Sequence, residues 1–144
     1  MNYIFFVIFL ILTLIYLWNG QDFFNKKEWF VLILKVVGVL IFTALLGRLM
    51  HDLIVSWEIM PMALARHFTT ALGLSLLTVL GMKFMVVMLC AIFKKIMVFH
   101  KKYNYENYNQ LSSVSSGFSF SFLVLAKCVI SCGSVLMFYG IWLA

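Results

Sequence analysis

Charge is what this sequence has least of. Only 11% of its 144 residues are Asp, Glu, Lys or Arg, and five of those are acids, where a soluble domain carries about a quarter. With so few acids, paired carboxylates at close spacing are missing. So are a His-x-x-x-His pair with an intervening Glu and a Ser nucleophile in a Gly-rich elbow, which removes the usual signatures of acid–base, metal-assisted and acyl-transfer catalysis. No enzyme, metal or cofactor is expected. Cysteine is scarce and odd in number: Cys90, Cys128 and Cys132 all fall in apolar runs, the last two four apart on one helical face, so they read as small packing residues rather than a disulfide framework. Proline occurs once, at Pro61, so backbone breakers are few elsewhere.

What is abundant is apolar surface. Hydrophobic residues make up 65% of the chain and the mean hydropathy is +1.06, the composition of an integral membrane protein. Lipid offers no water to free backbone groups, so spans must be helices or closed barrels. Unbroken apolar runs, rather than alternating ones, select helices. The expected fold is all-α, a single polytopic domain over 1–144 with four transmembrane helices in a compact bundle. The spans fall at about 2–18, 29–47 or 29–60, 67–93 and 117–142. The first is preceded by no Lys or Arg and followed by no small-residue cleavage site, so it reads as a retained span rather than a signal peptide. In the second, Arg48 and Asp52 keep helical i,i+4 spacing and no breaker precedes Pro61, so helices 2 and 3 can be long and joined by a turn there. The stretch from Lys94 to Ser116, Lys-rich and then Tyr/Asn- and Ser-rich, reads as an interfacial loop.

The net charge of +6 does not point to nucleic acid, because the basic residues cluster beside apolar runs, the pattern that orients membrane segments. The first and third connectors hold Lys26, Lys27, Lys94, Lys95, Lys101 and Lys102, against Arg48 and Arg66 for the second. That asymmetry places the first and third connectors in the cytoplasm of a bacterial inner membrane and both termini in the periplasm. Residues 94–116 then offer a docking surface for a cytoplasmic partner, with Lys94, Lys95, Lys101, Lys102, Tyr103 and Tyr105 as its basic and aromatic contacts. Arg48, His51, Asp52, Glu58, Pro61, Arg66 and His67 form a periplasmic hinge and recognition segment. Its expected ion pairs are Arg48 to Asp52 and Glu58 to Arg66.

Two charges are more telling. Lys83 and Lys127 each lie on the order of 15 Å inside their spans, at one depth, and a lysine there faces protein or a water-filled cavity. Two like charges at one level need an anion, for which Asp52, Glu58, a lipid phosphate or a partner's acid are candidates. Lys127, Ser131 and Ser134 share a face of the fourth helix, which turns that face towards the bundle or an oligomer axis. Beside it runs a stripe of small residues, Ser119, Ala126, Gly133 and Gly140, suited to close helix approach and to a homo-oligomer. Thr43 with Gly47 is a shorter small pair.

These features fit a non-enzymatic inner-membrane interaction protein, an oligomeric component of a conflict system such as phage defence, superinfection exclusion or toxin immunity. It would sense an agent at the membrane or dock a cytoplasmic partner. A holin-like pore lined by Lys83, Lys127 and the Ser face is the first alternative. An accessory subunit of a transporter or secretion complex is the second.

Overall fold

The computed structural model describes residues 2–57, 61–103 and 105–144, the side chains of 57, 105–107 and 109–120 excepted. They form four helices: α1 (Asn2–Asn19), α2 (Lys26–Trp57), α3 (Met62–Tyr103) and α4 (Tyr105–Trp142). All four contain segments long and apolar enough to cross a membrane, by length and composition. The described residues are thus all-helical apart from short connectors, and by composition their four apolar helices are those of a multi-pass membrane protein.

Local sequence explains where the helices start and stop. At the head of α2, Asn25 O accepts from the N–H groups of Glu28 and Trp29 at 3.0 and 3.1 Å. Glu28 Oε2 in turn accepts from Asn25 N at 2.5 Å, which closes a capping box and moves the start of α2 three residues upstream of Trp29. Pro61 precedes the first turn of α3, its carbonyl accepting from Leu64 and Ala65. The expected loop over 94–116 is corrected: α3 runs on to Tyr103 and α4 begins at Tyr105. No Gly or Pro occurs between Met82 and Ser116, and helix satisfies a backbone that nothing interrupts. Lys94, Lys95, Lys101, Lys102 and Tyr103 are exposed on this helix rather than in a loop.

Helix α3 is the hub. It packs against α1, α2 and α4, whereas α2 packs against α3 alone. Phe5 meets Phe68 and Trp142 at one end of α1, and Leu17 meets Val86 and Cys90 at the other. Helix α1 is therefore parallel to α3 and antiparallel to α4. Small residues set the α2–α3 seam: a Cβ on Gly73 would fall 2.5 Å from Thr43 Cγ2, and one on Gly47 would touch Thr69 Cγ2 at 3.5 Å. The Thr43/Gly47 pair thus packs within the chain. On α4 the packed face is Ala126, Lys127, Ser134, Phe138 and Trp142. Of the small-residue stripe only Ala126 is buried. A Cβ on Gly133 or Gly140 would meet nothing, so that part of the stripe is unused inside the chain, and the Ser119 side chain lies outside the described residues. The cysteines are corrected likewise: Cys90 is buried, but Cys128 and Cys132 are exposed because the packed face lies beside them.

Hydroxyls enter this interior by bonding back to their own helices. Thr13, Thr43, Thr69 and Ser75 each donate to the carbonyl four residues earlier at 2.7–2.9 Å, so no polar hydrogen is left over. Ser75 Oγ also accepts from Trp142 Nε1 at 2.8 Å, within an aromatic cluster where Phe5, Phe9 and Trp142 stack. Ser75→Ala would strand the indole N–H, and is expected to lower stability by about 1–2 kcal/mol. Thermal unfolding in detergent checks this, with Trp142→Phe closing a double-mutant cycle: strictly additive effects would mean the bond contributes nothing.

Candidate functional site

Asp22 is the centre of the interior. Its Oδ1 lies 3.2 Å from Lys83 Nζ and its Oδ2 lies 2.8 Å from Lys127 Nζ, so one carboxylate is shared by two ammonium groups. Lys83 and Lys127 side chains are 2% and 7% exposed and Asp22 16%, which removes most water from all three. A charge in that setting is tolerable only when paired and hydrogen-bonded. The anion that the two lysines require is thus Asp22 of the first connector, not Asp52.

The sequence builds this contact from a helix that ends early. Helix α1 stops at Asn19, and Gly20 follows where any side chain would collide: a Cβ there would fall 2.8 Å from Lys83 Nζ and 2.9 Å from the Tyr16 carbonyl. The bare glycine lets the chain turn under Lys83 and deliver Asp22. Trp18 completes the surround. Its ring lies 5.8 Å from Lys127 Nζ, a cation–π arrangement that softens the site's net positive charge, and its Nε1 donates to Ser131 Oγ at 3.3 Å. Along α3, Lys83 is eleven residues from Lys94, roughly 16 Å of helix. Part of the first connector therefore lies about three helical turns along α3 from Lys94, and it packs there against protein, the setting in which an apolar layer tolerates irregular backbone.

The other expected site residues separate into three places. At the far end, His51 and Arg66 line a groove of about 470 Å³ between α2 and α3. His67 instead lines a second, more apolar one of about 390 Å³ with Asn2, Phe5 and Trp142. The expected Arg48–Asp52 pair is corrected: Asp52 Oδ1 pairs with His51 Nδ1 at 3.5 Å, both side chains exposed, and Arg48 makes no ion pair among the described residues. Glu58 lies outside the described residues. Lys94 and Lys95 line a groove of about 440 Å³ with Phe23, Trp29 and Val98. Lys101 and Lys102 are exposed near the end of α3, over the rings of Tyr108 and Tyr103 at 6.0 and 5.2 Å. The Tyr105 side chain lies outside the described residues. Ser131 and Ser134 do face the interior with Lys127. No cluster of three or more potential metal ligands occurs among the described residues.

Sequence reading missed Asp22, Trp18, Gly20 and Tyr16. The available signal was the run Gly20-Gln21-Asp22-Phe23-Phe24, an acid flanked by a glycine and two aromatics, more apolar than a headgroup-level connector requires. Comparison with protein-family models, with curated proteins and with solved structures finds no significant match.

Proposed function

We propose that this protein is a non-enzymatic interaction protein of a bacterial inner membrane, working as an oligomeric component of a conflict system of the phage-defence, superinfection-exclusion or toxin-immunity kind. The observation that carries this reading is the closed charge site. Lys83 and Lys127, the residues best suited to line a lumen, are both engaged by Asp22, so the buried polar groups hold helices together instead of facing a passage. What the chain presents outward is then its working surface. Helix α2 is only 6% buried over its most apolar window, a bare flank for lipid or another helix. The end of α3 exposes Lys94, Lys95, Lys101 and Lys102 among Ile96, Val98, Phe99 and Tyr103, a mixed basic and aromatic face suited to an acidic partner. Lysine counting puts that face in the cytoplasm and both termini in the periplasm.

The test is expression in a bacterial host challenged with phages and a conjugative plasmid while membrane potential is followed by dye. The expected result is lowered plating or transfer with the potential intact before challenge, and loss of protection in Lys101→Glu/Lys102→Glu. Depolarisation on expression alone, relieved by Lys83→Leu/Lys127→Leu, would replace this reading with the pore.

A further inference from the structure

Helices α1 and α2 do not pack on each other. The cleft between them, floored by α3, is bridged by Lys35, whose Nζ donates to the Tyr16 hydroxyl at 3.4 Å and lies 5.5 Å from the ring centroid. On the side of Lys35 nearer the α2 N-terminus is a cavity of about 220 Å³ where Lys27, Glu28, Lys35 and Lys83 stand among Phe24, Val31 and Leu32. Deeper along α2 it adjoins an almost wholly apolar groove of about 330 Å³ between α2 and α3, walled by Gly38, Val39, Phe42, Leu76, Val79 and Leu80, with Lys35 at the junction. A compartment that sets charged side chains among apolar ones and an apolar trough thus adjoin in the order in which a lipid presents headgroup and acyl chain.

From this arrangement we infer that the α1–α2 cleft, with the α2–α3 groove that adjoins it, is a binding site for one anionic glycerophospholipid, its phosphate between Lys27 and Lys35 and an acyl chain along Gly38 and Phe42. Charge selects the class. Three lysines face one acid, and Glu28 is already engaged by the Asn25 N–H as the cap of α2. Lys83 is engaged by Asp22, so Lys27 and Lys35 are the cations left to meet a phosphate. Helical side chains lean towards the helix N-terminus, so Lys35, at the junction, reaches back towards Lys27. Basic pockets between spans are where acidic headgroups are held. A free phosphate would use the cavity but not the adjoining trough. The absent side chain of Gly38 opens that trough, since a Cβ there would meet nothing within 4 Å.

The experiment is native mass spectrometry of the full chain purified in mild detergent, delipidated, and titrated with phosphatidylglycerol or phosphatidylethanolamine of matched chains. One phosphatidylglycerol should bind in preference to phosphatidylethanolamine. Lys27→Gln/Lys35→Gln should weaken it on the order of tenfold. Gly38→Leu, which leaves every charge in place and has room for its side chain, should weaken it too, with thermal unfolding in detergent showing both variants folded. Equal binding of the two lipids, binding unchanged by both variants, or displacement of the lipid by inorganic phosphate would each overturn the inference.

Discussion

Asp22→Ala is expected to cost about 3–5 kcal/mol, the loss typical of breaking a buried ion pair by removing one partner. The reason lies in what remains. Lys83 and Lys127, almost wholly buried, would face each other with no anion, and each would have to withdraw towards the headgroups through packed Val86, Leu17 and Ile130. Asp22→Asn should fall nearly as far, since an amide supplies one acceptor and no charge for two ammonium groups. The site's charge, not its shape, is the requirement, so Asp22→Asn/Lys83→Met/Lys127→Met should recover most of the loss. Thermal unfolding in detergent, with the yield of monodisperse protein from membranes, measures this. An Asp22→Ala protein that melts like the wild type would remove Asp22 from the centre of the fold.

Gly73→Ala should be the next most damaging change, at about 1–3 kcal/mol for overpacking a filled seam. The added Cβ would lie 2.5 Å from Thr43 Cγ2, 2.7 Å from its Oγ1 and 3.2 Å from its Cβ. Thr43 has little freedom to yield, because it is β-branched and its hydroxyl is bonded to the Val39 carbonyl at 2.8 Å. Helix α2 packs on no other helix, so pressure here loosens its whole attachment to the bundle. Thr43→Ala removes the two closest atoms and should restore most of the loss in the double variant. Gly81→Ala, two turns along the same helix and in open space, should be neutral or slightly stabilising. Equal effects at Gly73 and Gly81 on thermal unfolding would show that the α2–α3 seam is not close-packed.

Much of the fold was legible because apolar runs of span length leave few alternatives in lipid. The shared depth of Lys83 and Lys127 followed from helical rise alone, and the inward face of Lys127, Ser131 and Ser134 from their spacing. Two features were hidden for physical reasons. The helical course through 94–116 was masked by composition: Lys, Asn, Tyr and Ser read as loop, whereas the lack of Gly and Pro over that stretch was the better signal. The counter-ion was hidden because Asp22 sits between helices, where no periodicity assigns it a direction. Its two partners lie 61 and 105 residues downstream, and only the early end of α1 brings it inward. The α2–α3 seam was half visible: Thr43, Gly47 and Gly73 were each noticeable as small, but their register across two antiparallel helices is a tertiary fact.

The same two separations have a meaning for how the molecule is made. A ribosome adding roughly 5–20 residues per second completes Asp22 on the order of 5–20 s before Lys127 exists. Until Lys83 emerges the acid has neither partner, and until Lys127 emerges it has one ammonium group of the two. The complete three-charge site is therefore a late event, finished by the arrival of α4 rather than by the insertion of α1. Helix α4 thus fixes a connector made long before it.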